Sequence, residues 1–394
     1  MPARGPVRAG ERALAPDLAR GAMLLIIALA NSATVFFATA PGIDKTPHGF
    51  ERGYNVFLFL FVHARGIPLF AIMFGYGLVQ LARRQQTAGA APAAVRRVLV
   101  RRNGWLFAFG SVHGILLFSG DILGAYGLVG IVFTLVLLQR GERLYRVPLG
   151  YLGFAALAVV ALAVVVVAGL VSGPAGPSVI PTGDSASMAA GSFTAAVAAR
   201  LTEWPMTVLT MLPFILFVWV GAWAARRRVL EEPRNHRRLL RWGAATGLGV
   251  AGGLPMGLLA GGFLEVDAET GPAVKLLYEA SGFFGGIGYL CLFGLLALAL
   301  TRSSRTNAVV GALAALGQRS LSGYLFQTLA WTVLASPFLL SLGTGSASPT
   351  FTAAIAAMAV WLITVLAAYA MQRHAYRGPA EKLLRRLTYG RGDR

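Results

Sequence analysis

Residues 1 to 38 read MPARGPVRAGERALAPDLARGAMLLIIALANSATVFFA, so four arginines, at positions 4, 8, 12 and 20, precede an apolar run long enough to cross a bilayer. A span needs about 20 mostly apolar residues. Working outward from this first one, near 18 to 38, nine more stretches qualify, roughly 54–82, 103–118, 122–139, 147–171, 204–225, 242–262, 276–300, 320–340 and 351–372. The composition agrees, since 56% hydrophobic residues, 13% charged residues and a mean hydropathy of +0.65 exceed what one soluble core can hide. In hydrocarbon every backbone donor and acceptor needs an internal partner, which makes each span a helix. The expected fold is therefore all-α, a polytopic membrane helix bundle of about ten transmembrane helices.

The basic residues then assign the sides. With the N-terminus in the cytoplasm, 30 of the 35 Lys and Arg residues fall in inner segments. They lie before the first span, at 83–102, at 140–146, at 226–241, at 302–319 and from Arg373 to Arg394. Outer loops hold only Lys45, Arg52, Arg200 and Lys275, and Arg65 lies within a span. This is the positive-inside pattern, with both termini cytoplasmic. A net charge of +19 invites a nucleic-acid reading, yet these arginines sit in short connectors and not on one basic face. Anionic inner-leaflet lipid is the expected partner, and no nucleic acid is. Cys291 is the only cysteine, which excludes an intrachain disulfide and a thiolate metal cluster, and no metal site is expected.

Three segments follow: a basic N-terminal piece, 1–17; one transmembrane domain, 18–372; and a basic amphipathic tail, 373–394. The first span is expected to be retained despite the cleavage-like Ala38-Thr39-Ala40, because Glu11 and Asp17 precede it and Asn31, Ser32 and Thr34 interrupt it. Gly66 and Pro68 inside the overlong second span predict a kink or two half-helices. The outer segment 172–203 reads as a Gly-Pro-Ser loop followed by a short interfacial helix. The tail, with Pro379 at a helix start, is expected along the inner membrane surface.

Ionisable groups in a span are costly and so are candidates for function. Asp17 and Arg20 share one helix face at i, i+3, suited to an intrahelical ion pair. Asn31 lies eleven residues deeper, about 16 Å along the helix axis, where an amide commonly bonds a neighbouring helix. His63 and Arg65 fall in VHARGIP, and Arg65 keeps its charge, so it needs a carboxylate, carbonyls, water or an anionic ligand. Glu279 is one possible carboxylate for it. His113 and Asp121 lie in SVHGILLFSGDILGAYG, about 12 Å apart if the helix continues, but within reach if the chain folds back at Gly120. A His beside a carboxylate suits general-base work; a helix-packing histidine is the plainer reading. Ser320, Tyr324 and Gln327 form one stripe, which interhelical hydrogen bonding can also explain. No nucleotide-binding glycine pattern, HExxH or GxSxG occurs.

PDLARGAMLLIIALAN (16–31), LFAIMFGYG (69–77), SVHGILLFSGDILGAYGL (111–128), LGQRSLSGYLFQ (316–327) and RGPAEKLLRRLTYG (377–390) resemble, in order, the YeiB-like bacterial inner-membrane family defined by domain of unknown function 418. The resemblance implies a polytopic protein of the bacterial plasma membrane, in a family loosely associated with transport. A more distant likeness reaches the membrane acyltransferases, including bacterial O-acyltransferases and the heparan-alpha-glucosaminide N-acetyltransferase type. They open with an Asp, an Arg-Gly and a polar residue eleven positions after that Arg, here Asp17, Arg20-Gly21 and Asn31. The bacterial enzymes carry His at the last position, whereas the lysosomal type carries Asn and a working His in the next outer loop, where this chain has His48.

The function expected from these observations is acyl transfer from a cytoplasmic acyl-CoA to an extracytoplasmic acceptor, with no bound cofactor. His113 with Asp121 would form the base, with His63 or His48 behind it. Asp17, Arg20, Asn31, Arg65, Tyr324 and Gln327 would line the substrate path. The alternatives are a transporter of a small anionic or lipid-like molecule, with Arg65 as its ligand, and a non-catalytic membrane partner. A cavity lined by Arg65, His113 and Asp121 and open to the basic face would favour acyl transfer.

Overall fold

The computed structural model describes residues 13–173, 183–301, 307–343 and 345–390. Arg4, Arg8, Arg12, Arg302, Arg305, Arg391, Arg394 and most of the 172–183 loop lie outside the described residues. The helices are α1 (Leu14–Phe37), α2 (Phe50–Phe61), α3 (Gly66–Thr87), α4 (Pro92–Leu116), α5 (Leu123–Val136), α6 (Val147–Ser172), α7 (Ala186–Ala189) and α8 (Phe193–Thr210). After these come α9 (Ile215–Arg226), α10 (Arg237–Ala245), α11 (Leu254–Ala260), α12 (Thr270–Leu300), α13 (Ala308–Gln318), α14 (Ser320–Ala335), α15 (Pro349–Arg373) and α16 (Pro379–Tyr389). The strands among the described residues are two residues each, Thr39–Ala40 paired antiparallel with Gly183–Asp184. The protein is an all-α polytopic helix bundle.

Seven of the ten apolar stretches form helices long and apolar enough to cross a membrane. The other three are helical too, but α4 begins among Arg96, Arg97, Arg101 and Arg102, while α5 and α14 have only 14 and 16 residues. Two expectations need correction. The segment after Ser192 is not an interfacial helix: Ser192 caps α8, and Ala196, Arg200, Trp204 and Val208 form a buried stripe at four-residue spacing. That stripe carries Arg200 into the bundle, continuing toward α9. The second correction is α13, an unexpected eleven-residue helix packed on α1 and α15. Its apolar run is too short to read as a span, and its place against α1 is marked by the close approach of Gly21 to Leu313 and of Gly317 to Asp17.

The second span is indeed broken, at residues 62–65, with Ala64 in the left-handed region at φ 59° and Pro68 tolerated in the first turn of α3. On α12, Gly282 and Gly286 leave room for the broken backbone, since a Cβ at Gly282 would lie 2.5 Å from Ala64 O. The 242–262 span is likewise irregular, a 3-10 stretch from Thr246 to Gly253 joining α10 to α11.

Contacts between loops separate the charges onto two ends. At one end Arg83 pairs with Glu231 at 2.6 Å, Arg227 with Glu142, and Arg226 donates to Leu138 O at 2.9 Å. Lys45 pairs with Asp184 at 3.3 Å at the other end, where Arg52 donates to Gly261 O at 2.7 Å and Thr350 to Asp44 at 2.8 Å. The tail helix α16 docks on α4 and α14 at the basic end, burying Leu384 and Thr388. There Glu381 accepts from the backbone N–H groups of Leu321 (2.9 Å) and Ser322 (3.1 Å), while Ser322 Oγ accepts from Ala380 N at 3.1 Å. Each helix thus caps the other's N-terminus.

Two outcomes follow from this packing. Gly75 and Gly221 let α3 and α9 cross so closely that a Cβ on either would strike a backbone carbonyl, of Val218 or Ile72. Gly221→Val is expected to cost about 3 kcal/mol or more, read as a lower melting temperature, whereas Gly53→Ala, where a Cβ meets open space, changes little. Burial, partly offset by its hydrogen bonds, pushes the Glu381 carboxyl above its usual value of 4.5. A raised carboxyl pKa contributes stability below the unfolded value and loses it as pH rises through the folded one. As pH rises above about 4.5, the melting temperature should therefore fall more in the wild type than in Glu381→Gln.

Candidate active site

α4 ends at the carbonyl of His113, which accepts from both Leu117 N (2.9 Å) and Phe118 N (3.1 Å), and the chain turns back through Gly120. Asp121 then caps α5, its Oδ2 accepting from Gly124 N at 2.8 Å. The fold-back closes the distance a continuous helix would leave open, placing His113 Nδ1 2.8 Å from Asp121 Oδ1. Gly110 makes this possible, because a Cβ there would meet Gly124 and the Asp121 carboxylate. Asp121 is 0% exposed and His113 3%. Tyr324 of α14 lies against the pair, its ring 5.2 Å from the imidazole and its hydroxyl 3.5 Å from Asp121 Oδ1. Trp204 of α8 packs over Gly114 and Gly124 on the opposite side. Among the described residues His113 Nε2 is buried without a hydrogen-bond partner, as are both side-chain polar atoms of Gln327. A carboxylate on Nδ1 and an unbonded Nε2 are what a general base requires.

A cavity of about 320 Å³ runs from the basic end toward this pair. Arg20, Arg84, Arg102, Gln80 and Gln318 line its outer part; Met73, Phe70, Phe74, Leu106 and Leu123 line its depth, which reaches Tyr324. Asp17 is buried beside it, paired with Arg20 at 3.6 Å and accepting from Gln318 Nε2 at 3.0 Å. Along α4, Arg102 and His113 are separated by about 16 Å of helix rise. Arginines at the mouth and apolar walls below suit an amphiphile with an anionic head.

Contrary to expectation, neither His113 nor Asp121 lines this cavity, which ends at Tyr324 and Leu123, and the remaining candidates lie elsewhere. Arg65 does not line the cavity, contrary to expectation: its guanidinium donates to the carbonyls of Leu60 (3.1 Å), His63 (3.1 Å), Tyr278 (3.2 Å) and Val250 (3.2 Å). It holds the α2–α3 break together, its ligands in place of an anion being two carbonyls at that break, of Leu60 and His63, and one each from α12 and the 3-10 stretch, of Tyr278 and Val250. Glu279 is not among its partners. His63 is buried in the same break, its ring 5.0 Å from Phe59. His48 is exposed in the outer loop, 2.7 Å from Ala347 O and 3.2 Å from Glu51. Asn31 is half-buried, about two turns beyond Met23 and outside the cavity lining. Arg84, Arg102, Gln80 and Trp204 are additions. In the sequence Arg84 and Arg102 look like topology signals only, and nothing in the pattern marks Trp204.

Residues 224–391 match the model of the family described as Protein of unknown function (DUF418). Across 403 aligned positions, 96% of this chain and 96% of the relative, the chain is 27% identical to Uncharacterized protein YeiB of Escherichia coli (strain K12). The chain is thus similar to this YeiB-like DUF418 family, through the family model over its C-terminal part and through YeiB over nearly all of its length. It is also 25% identical over 360 residues to Uncharacterized protein YxaH of Bacillus subtilis (strain 168), covering 84% of this chain and 80% of that one. A shorter likeness, 33% over 129 residues, relates it to an uncharacterized 39.9 kDa protein of Bacillus acidopullulyticus, over 32% of this chain and 34% of the relative. The family match spans α14 and α16, and hence Tyr324 and Glu381, but not His113 or Asp121. All three relatives are named as uncharacterized, so the likeness carries no reaction.

The Arg65 clamp has a direct test. Arg65→Gln leaves carbonyls of the broken span unanswered, an expected loss of about 3 kcal/mol or more, visible as a depressed melting temperature. Arg65→Lys should rescue little of it, because one ammonium cannot reach carbonyls on three elements; a fully stable lysine variant would argue against the clamp.

Proposed function

We propose that this YeiB-like protein is an acyltransferase of the bacterial plasma membrane, moving an acyl group from a cytoplasmic acyl-CoA to an extracytoplasmic acceptor. One observation carries the reading: a buried His–Asp pair with a free Nε2 stands behind Tyr324 at the deep end of an arginine-mouthed cavity. The nucleotide phosphates of the donor would meet Arg20, Arg84 and Arg102. Its thiol arm and acyl chain would extend along the apolar wall of Phe70, Phe74 and Leu106.

Asp121 fixes the proton on His113 Nδ1 and so leaves the Nε2 lone pair for the acceptor. As the acceptor's oxygen or nitrogen attacks the thioester carbonyl, its proton passes to Nε2. The C–S bond then breaks, and the imidazolium returns that proton to the departing thiolate. Tyr324, packed on the ring, separates the donor cavity from the base until the arm displaces it. Transport has less support, since the cation that would bind its cargo, Arg65, is already saturated by carbonyls.

His113→Ala is expected to lower acyl transfer by about 10²–10⁴-fold with the fold retained, and Asp121→Asn to do so through loss of the correct tautomer. Arg102→Gln should weaken acyl-CoA binding by roughly tenfold without altering the chemical step. Radiolabelled acyl-CoA binding and transfer by purified protein test all three. A protein that binds no acyl-CoA, in cells where His113→Ala has no phenotype, would overturn the proposal.

A further inference from the structure

A second, separate pocket of about 460 Å³ opens at the basic end of the bundle, between the ends of α3, α5 and α9 and the start of α4. Its size lies within the range of small-ligand sites, about 300–1,000 Å³. Val79, Ala82, Val95 and Leu138 are its buried, apolar members, whereas Gln86 and Gln139 are exposed at its mouth. Arg83 and Arg226 complete its polar side. The end of α3 divides this pocket from the donor cavity, for Gln80, Leu81 and Arg84 line the one and Val79, Ala82 and Arg83 the other.

The two arginines are not equivalent. Arg83 is neutralised by Glu231 at 2.6 Å and donates to Ala225 O at 3.0 Å. Arg226 has carbonyls and a ring instead: its Nη2 donates to Leu138 O (2.9 Å) and Arg140 O (3.0 Å), and its guanidinium lies 3.4 Å over the Tyr145 ring. Such partners hold a guanidinium in place without cancelling its charge. No carboxylate pairs with Arg226 among the described residues, since Glu142 is taken by Arg227 and Glu231 by Arg83.

The pocket therefore presents one preorganised, uncompensated cation beside an apolar floor, which matches a single negative charge on an apolar body. A phosphodiester carries that one charge, whereas a phosphomonoester carries about 1.5 to 2 at neutral pH. The pocket also adjoins lipid: Leu138 and Gln139 follow directly on α5, whose Val132, Leu135 and Val136 are exposed and in a bilayer meet acyl chains. Gln139 Nε2 donates to Pro92 O at 3.4 Å, which leaves its Oε1 to accept from a headgroup hydroxyl. We propose that this pocket holds the headgroup of one anionic phospholipid of the inner leaflet. Its phosphodiester would rest on Arg226, its headgroup hydroxyls on Gln86 and Gln139, and its acyl chains along α5. The site does not rest on the acyl-transfer reading.

The test takes the full chain, delipidated in detergent, and counts by native mass spectrometry the lipids rebound from phosphatidylglycerol or phosphatidylcholine. The wild type should retain one phosphatidylglycerol at concentrations where phosphatidylcholine is lost. Arg226→Gln should weaken that retention by roughly tenfold or more. Arg373→Gln, which removes an equal charge outside the pocket, should leave it unchanged. Should Arg226→Gln not fold, Gln86→Glu at the exposed mouth sets a carboxylate against the phosphodiester and is expected to weaken retention by a similar factor. Equal retention of the two lipids, equal loss in Arg373→Gln, or Arg226-dependent binding of free glycerol 3-phosphate with no lipid retained would overturn it.

Discussion

Hydrocarbon offers no hydrogen bonds, so every charge and every broken turn within a membrane bundle must be answered by the chain itself. Most of the buried groups here obey that constraint visibly. Arg65 gathers four carbonyls around the break between α2 and α3, and Arg319 donates to Tyr376 O and Ala315 O where α13 meets α14. Asp121 receives the imidazole on one oxygen and the α5 backbone on the other. Against that background the exceptions are informative. Among the described residues His113 Nε2, Gln327, Arg200 Nε and Trp331 Nε1 are buried and unanswered, as are, among others, His63 Nε2, Gln85 Oε1, Asn103 Nδ2 and four further indole N–H groups. His113 stands out because Asp121 holds its other nitrogen and its ring packs on Tyr324, which lines the cavity at the basic end.

α14 organises this region because its stripe of polar side chains runs through the depth of the bundle. Ser320 and Tyr324 border the cytoplasmic cavity, Gln327 is enclosed, and Thr328, Thr332 and Ser336 border a small outer cleft. Interhelical hydrogen bonding explains Tyr324, whose hydroxyl donates to Asp121, but not Gln327, which has no partner among the described residues, or the threonines, whose recorded bonds stay within α14. The register of α14 matters accordingly, and the reciprocal caps between Ser322 and Glu381 fix it from the cytoplasmic end. The tail is thus a structural element of the cavity wall, where composition alone suggests a surface helix.

The architecture was legible because its signals are cumulative: many apolar residues per span, and many arginines on one side. The broken second span was legible for a similar reason, Gly66 and Pro68 being local breakers. Arg65 was a different matter. Its depth and charge were plain, but whether carbonyls or a ligand surrounded it depended on α12 and the 3-10 stretch, two hundred residues away. The His113–Asp121 contact was half legible, for Gly120 suggested a fold-back, and the capping of Gly124 N by Asp121 is the sort of local signal that decides it. The cytoplasmic cavity was illegible, since Arg84 and Arg102 serve topology as well as any ligand, and α13 was too short to show.

A chain that moves a group through a bilayer must also keep the bilayer sealed. The cavity at the basic end stops at Tyr324, whose ring packs on His113, so a layer of side chains separates it from the His113–Asp121 pair. A transporter in this geometry must open that layer to the full width of its cargo, and alternate which side is open. A transferase need only let the thioester carbon reach Nε2 from below while a hydroxyl reaches it from above, and the bulk of neither substrate has to cross. The arginines gathered at one cavity, with the His113–Asp121 pair behind Tyr324 at its end, fit the smaller demand.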